Sequence, residues 1–521
     1  TCHWWTGAAG DRAQPVAATR GVDQGCPLSP ALFAIGIAPA LEALQDRLRT
    51  RDTGARVFAY LDDVYLVISP GLARWAMGVV EQTFGPFGLK LNRSKTRVWI
   101  PDEDIFEELG QLHPDLDDLR VSVLPCLGSS INYVKASQED CENVDLKPMD
   151  TAFEALQSFS ANLWDLVDHG LPLKHAVVLH TTFAGGAITH LLRTMWVDEN
   201  ACKRWDAEVL QFWERVLERD TLLIGSLPAL RIFLPRSMGG FGVQSAEMRR
   251  SAAYIGAFEG SFSAIAEALG FDSAGQFVER CPKLHATLTA AGDKLQSDMN
   301  APFKWSPEAC LSTVMRKRQH LHLSNVYARV REFVAGQLSV EDRADFYSTG
   351  GKTAGEFLSA SPIVGDEVVI PDKHLQCSLR RRLCLPSPGW CRALRHGSSA
   401  STQCNHQYPS GKLCGCALDQ YGRHAGQCKV GGLVLRWHDE LKDWLMAWIA
   451  EMTKRPVAAK PEPYVPAWNY VVRRKNKDTG VRGPVVVEAR LDGGFTEPTG
   501  RQAYVDVCIP AAYSEVAATL Q

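Results

Sequence analysis

The chain has 521 residues, 45% hydrophobic and 22% charged, which excludes a disordered polypeptide and leaves room for roughly three or four domains. A formal net charge of -3 excludes a globally basic protein, so any nucleic-acid surface must be local. Uninterrupted apolar runs stay below about 18 residues, so no membrane span is expected. The 15 cysteines sit in a large chain without a signal-peptide pattern, several of them near one histidine. That usage predicts an intracellular, reduced protein of nucleus or cytoplasm with one metal site, rather than a disulfide framework. Thr1-Cys2-His3-Trp4-Trp5 has no initiating Met, and Ala517-Ala518-Thr519-Leu520-Gln521 stops inside what reads as an ordered element, so a fragment is expected.

Residues 19–30 form a Gly- and Pro-punctuated loop that leads into a helix from Ala31 to about Leu48. Ser29 reads as its N-cap, Pro30 as its first residue, and Pro39 as a kink. Phe58-Ala59-Tyr60-Leu61-Asp62-Asp63-Val64-Tyr65-Leu66-Val67-Ile68 then places two β-prone runs around adjacent carboxylates. A tight hairpin is predicted, with Asp62 and Asp63 at the tip and the apolar residues buried beneath. Adjacent ionised carboxylates repel, so this tip suits divalent cations, and a pair of Mg²⁺ ions there suits phosphoryl transfer. Helical spacing of Leu72, Trp75, Ala76, Val79, Val80, Thr83, Phe84 and Phe87 predicts a helix that Gly88 ends. Leu89 to Thr96 reads as a short strand and turn with three cations, and Leu124 to Ile131 as another strand with a glycine turn.

From about Asp150 to Val340 a mostly helical region is predicted, with Trp164, Trp196, Trp205 and Trp213 among its buried residues. Lys174, Arg193, Lys203 and Arg204 are candidate contacts to a duplex, as is the basic run Met315-Arg316-Lys317-Arg318-Gln319-His320. Leu234 to Val243 holds a glycine turn. Further on, Cys414, Cys416, His424 and Cys428 have spacing that can close a tetrahedral zinc site, with Cys404 or His406 able to replace one of them. An amphipathic helix follows, with Leu441, Trp444, Leu445, Trp448 and Ile449 on its apolar face. Two later strands carrying Asp492 and Asp506 can bring both carboxylates to one Mg²⁺ that activates water against a phosphodiester.

The order of these pieces resembles the reverse transcriptases of non-LTR retrotransposons. Gly21 to Pro30 resembles their motif B, Ala59-Tyr60-Leu61-Asp62-Asp63 their metal-binding motif C, Gly88 to Thr96 motif D, and Cys126-Leu127-Gly128 the motif E primer grip. The resemblance implies that Asp62 and Asp63 hold Mg²⁺ (or Mn²⁺), and that Gln24 and Gly25 lie against template and incoming nucleotide. It implies that Tyr60 packs near the primer terminus, Gly128 belongs to the primer grip, and Lys95 assists the leaving pyrophosphate. The family's motif A aspartate lies upstream of motif B, yet Asp11 sits in nothing resembling it. The tail resembles the restriction-like-endonuclease class, with a zinc element, an Arg436/His438-Asp439 helix and a PD-(D/E)XK-type nuclease. Leu491 stands where the family has proline, and Val507 and Cys508 follow Asp506 without the expected lysine.

The implied fold is α+β and multidomain. It comprises a partial right-hand palm over 1–135, a helical thumb region over 136–250, a helical connector over 251–370, a small zinc element over 371–430 and an α/β nuclease over 431–521. The implied partners are an RNA template, a DNA primer, target DNA and dNTPs, with no membrane. The rival expectation is a remnant that binds nucleic acid and catalyses nothing.

Overall fold

A computed structural model of the chain describes residues 2–5, 14–17, 26–100, 114–121, 123–132, 147–218, 222–312, 317–351, 354–359, 370–387, 403–408, 410–424, 428, 430, 433–454, 470–475, 482–487, 493–496 and 502–505. The chain divides into two compact units, Thr1–Pro148 and Met149–Gln521. Among the described residues, no helix is long and apolar enough to cross a membrane.

In the first unit, β1 (Cys2–Trp5) pairs antiparallel with β2 (Gln14–Ala17). Helix α1 (Ser29–Arg49) follows, and Leu28 rather than Ser29 occupies its cap position. Ser29 is already helical and buried, and its amide donates to Cys26 O at 3.0 Å. Pro39 lies within α1 without ending it. Its carbonyl partner would be Ile35, which is exposed, so water can take the freed carbonyl.

β3 (Arg56–Tyr60) and β4 (Asp63–Val67) form an antiparallel hairpin. Helix α2 (Ala73–Phe84) runs into a short helical turn over Gly85–Phe87, and Gly88 closes it at φ +77. That left-handed conformation favours glycine, as the sequence predicts. The core of this unit is a helix layer under the hairpin. Ile37, Ala40, Leu44 and Leu48 of α1 meet Ala76, Val79, Val80 and Phe84 of α2, with Val57, Val64 and Leu66 packed against them. Burying one such leucine contributes roughly 2 kcal/mol. β5 (Val123–Cys126) and β6 (Ser129–Asn132) make a second hairpin, turned by Leu127 at φ +49 and Gly128 at φ +79. Positive φ at both central residues is the primed geometry that suits the twist of paired strands.

The second unit is mainly helical, as expected. It begins with α3 (Lys147–Asp168), α4 (Leu173–Thr194), α5 (Glu199–Val216) and α6 (Leu227–Phe233). Then come α7 (Ala246–Leu269), α8 (Ala274–Arg280), α9 (Pro282–Asp298), α10 (Pro307–Ser312), α11 (Arg318–Gln337) and α12 (Val340–Ser348). Helix α7 is the hub, packing on α4, α5, α9 and α11. It runs unbroken across residue 250, where the resemblance set a domain boundary. Gly256 allows α7 and α11 to approach closely, since a Cβ there would lie 2.5 Å from the Gln319 amide nitrogen. The start of α7 is held by Asp206 of α5, whose carboxylate accepts from Ser245 Oγ at 2.5 Å and from the Ala246 amide at 2.6 Å. Burial pushes this carboxyl up to about 7. Trp205 and Trp213 are fully buried, while Trp164 and Trp196 are only half-buried.

α13 (Asp372–Arg382) and α14 (Leu433–Thr453) are the last two helices among the described residues. The sequence places the apolar face of α14 at Leu441, Trp444, Leu445, Trp448 and Ile449, but Trp444 is 63% exposed and Trp448 47%. Met446 and the stem of Lys442 are buried instead, so the covered stripe lies to one side of the tryptophans. β7 (Tyr470–Lys475) pairs with β8 (Arg482–Val487), and β9 (Gly493–Thr496) with β10 (Gln502–Val505). Asp492 precedes β9 and Asp506 follows β10, so both flank the one hairpin at its Gly493–Val505 end. Both aspartates lie outside the described residues.

Candidate active site and metal centre

The β3–β4 register separates two faces. Val57 opposite Leu66 and Ala59 opposite Val64 share one face, while Phe58 opposite Tyr65 and Tyr60 opposite Asp63 share the other. Only the first face meets the helix layer. Phe58 is 46% exposed and Tyr60 60%, which corrects the expectation that the hairpin's apolar residues are all buried. The open face carries the chemistry. Leu61 and Asp62 form the two-residue turn, and Leu61 stands at φ +53, a region costly for a branched side chain.

Asp62 and Asp63 are exposed, and neither carboxylate makes a hydrogen bond or ion pair among the described residues. Two adjacent, uncompensated carboxylates on a rigid turn fit a hard divalent cation such as Mg²⁺. The described groups of three or more metal-ligating side chains lie elsewhere, so no third described carboxylate joins this pair.

Tyr65, on the same open face, reaches the β5–β6 turn, where it meets the Cys126 thiol and the Leu127 backbone. Burial, then the neighbouring Cys126, push its hydroxyl up from the ordinary value. The hairpin with Asp63 and the hairpin with Gly128 are thereby brought together. Residues 89–96 form a turn with no strand, in which the Lys95 amide donates to Asn92 O at 3.0 Å and the Lys95 side chain is exposed. Gln24 and Gly25 lie outside the described residues.

Three of the cations expected along a duplex are engaged or enclosed. Lys174 is 3% exposed and its Nζ has no hydrogen-bond partner. Burial, then the nearby Arg236, lower its pKa to about 8. Lys203 pairs with Glu199 at 2.6 Å, and Arg204 pairs with Asp150. Met315 and Arg316 of the later basic run lie outside the described residues, and Arg318 pairs with the buried Glu259 at 3.2 Å.

In the Cys/His segment, isolated bridges pair Gln403 with Ala417 and Gln407 with Leu413. The Cys404 amide donates to Cys416 O at 2.8 Å, and the Gly415 amide to Cys404 O at 3.0 Å. This hairpin carries Cys404 across to Cys414. The four side chains whose ligand atoms lie within 4.8 Å of one another are Cys404, Cys414, His424 and Cys428. Cys416 stays exposed and outside the set, so Cys404 takes the place the spacing assigned to it. Sγ of Cys404 and Cys428 are 3.7 Å apart, Sγ of Cys428 and Cys414 3.9 Å, and Cys414 Sγ lies 3.5 Å from His424 Nε2. A tetrahedral ion with sulfur ligands at about 2.3 Å requires edges of about 3.8 Å. The donor set therefore fits zinc in both chemistry and spacing. His406 Nδ1 sits 3.2 Å from Cys428 Sγ, beside the set, where a ring N–H can donate to the sulfur.

Three residues of this neighbourhood escaped the sequence reading. Arg423, next to His424, pairs with Asp342 and Asp345 of α12. No local motif marks those aspartates, because the contact spans about 80 residues.

Residues 3–127 match the family model described as reverse transcriptase (RNA-dependent DNA polymerase). The match contains the β3–β4 hairpin with Asp62 and Asp63, ends at Leu127 after the first strand of the β5–β6 hairpin, and covers under a quarter of the chain. This part of the chain carries a reverse transcriptase domain. Such domains are nucleotidyltransferases that act on a nucleic-acid template–primer and dNTPs. No curated protein matches the chain.

Proposed function

We propose that the chain is part of a non-LTR retrotransposon protein of the restriction-like-endonuclease class, working inside the cell. In this reading 1–135 is the palm, 136–250 the thumb region, 251–370 a connector, 371–430 a zinc element and 431–521 a nuclease with Asp492 and Asp506 as its carboxylates. Asp62 and Asp63 hold Mg²⁺ (or Mn²⁺), which when bound polarises the reacting phosphate and its attacking oxygen. The chain's own residues then position the substrates. The Gly128 turn holds the primer strand, Tyr60 packs beside its end, and Lys95 faces the leaving pyrophosphate. Cys404, Cys414, His424 and Cys428 hold Zn²⁺ and fix the loop that contains them.

The observation that carries the polymerase reading is the unengaged Asp62–Asp63 pair on its strained turn, inside the segment that matches the reverse transcriptase family. Asp11, which sits in nothing that resembles motif A, favours a second reading, a protein that binds nucleic acid without extending it. Primer extension by the 521-residue chain on an RNA template separates the two. Mg²⁺-dependent extension that disappears in Asp63→Asn supports the polymerase. Template binding without any extension supports the second reading.

A further inference from the structure

An open groove of about 760 Å³ lies where the end of α1 meets α2, lined by Arg47, Arg51, Arg74, Trp75, Gly71 and Gly78 among others. No residue of the β3–β4 hairpin lines it. The helix layer covers the hairpin face opposite Tyr60 and Asp63, so this groove is separate from the carboxylate face.

Its cations are held in place. Arg47 donates from Nη1 to Thr83 Oγ1 at 2.9 Å and from Nη2 to Gln82 Oε1 at 2.6 Å. Arg51 lies over Trp75, its guanidinium carbon 5.0 Å from the ring centroid. Neither arginine is in an ion pair among the described residues. Arg74 at the rim pairs with Asp115 at 3.4 Å. No carboxylate lines the groove.

Arg47 also sits in the last turn of α1, where a cation complements the helix dipole. That role does not account for Arg51, which lies beyond the helix and is fixed on Trp75. We infer that this groove binds the phosphodiester backbone of single-stranded RNA, apart from the template–primer face. Guanidinium groups with fixed orientation and free donors match phosphate oxygens. Arg51 covers the Trp75 ring, leaving it unsuited as a base-stacking platform, so recognition is of backbone and independent of sequence. The choice of nucleic acid rests on the reverse transcriptase domain and not on the retrotransposon reading.

The test is fluorescence anisotropy of the full chain with a short labelled oligouridylate, between about 50 and 200 mM salt. Arg47→Ala with Arg51→Ala should weaken binding at least about tenfold at the low end. It should also flatten the plot of log affinity against log salt by about 1.4, two phosphates at roughly 0.7 each. Gly78→Glu guards against misfolding. A Cβ at Gly78 meets nothing within 4 Å, and glutamate is the better helix former, so this variant folds while placing an anion in the groove. It should weaken binding as strongly. Affinity and salt slope unchanged in both variants would overturn the inference.

Discussion

Arg423 closes on Asp345, with Nε and Nη2 each 3.2 Å from the same carboxylate oxygen. The same guanidinium also reaches Asp342, and the three side chains are only 19%, 11% and 20% exposed for Arg423, Asp345 and Asp342. Its backbone amide donates to Asp419 Oδ1 at 2.7 Å, and Tyr421 lies against it at 4.6 Å. Because His424 is the next residue, the Cys/His set and helix α12 are joined through one side chain.

Removing that guanidinium leaves two carboxylates facing each other in a mostly enclosed site. Arg423→Ala should destabilise the second unit by about 3 kcal/mol, and Arg423→Lys by less, since lysine keeps the charge and loses the fork. Chemical denaturation of the zinc-loaded protein measures both. An Arg423→Ala curve that overlays the wild type would remove the coupling.

Metal content discriminates the two cysteine assignments. Cys404→Ser, Cys414→Ser and Cys428→Ser should each abolish zinc binding, whereas Cys416→Ser should keep about one ion per chain. Elemental analysis after dialysis reads this directly. Loss of zinc in Cys416→Ser with retention in Cys404→Ser would reverse the assignment.

Which features the sequence disclosed follows from how far apart the contributing residues lie. The Asp62–Asp63 hairpin and the Gly88 helix end are local, set by alternation, turn chemistry and one left-handed residue, and both are legible. The metal set depends on a register. Spacing alone favours the compact Cys414-x-Cys416 pair, while hairpin pairing brings Cys404 to the site from across the turn. Lys174 shows the limit of residue type as a guide, being a lysine enclosed by its own helix bundle. On α14 the period was readable but the phase was not, because Trp444 and Leu441 are apolar and still face outward.

His180 gives the second unit an acid limb. It is fully buried, stacked on Phe212 at 3.7 Å with an interplanar angle of 2°, and neither ring nitrogen has a hydrogen-bond partner. Burial lowers its pKa from 6.5 to about 3. The unfolded chain therefore takes up a proton first as the medium acidifies. The stability concerned is fully present above pH 6.5 and falls as pH drops toward about 3, by about 1.4 kcal/mol per unit. His180→Leu should flatten that limb whatever it does to packing. Denaturation between about pH 4 and 7 gives the slope, and an equal slope in both proteins would exclude His180 as its source.

Leu61 offers a test of why the carboxylate turn is strained. At φ +53 it occupies a region that costs a leucine roughly 1 kcal/mol, and at 39% exposure it recovers little of that through burial. Leu61→Gly removes the strain but also loosens the turn that holds Asp62 next to Asp63, which shares its face with Tyr60. If the strain serves stability alone, the glycine variant is neutral or better in every assay. If the stiff turn serves to hold both carboxylates toward one ion, the variant melts no lower than the wild type yet extends primers several-fold more slowly. It should also need more Mg²⁺ to reach half its maximal rate. The second outcome is the one expected, because strain of this kind persists where a rigid geometry is required at the reacting centre.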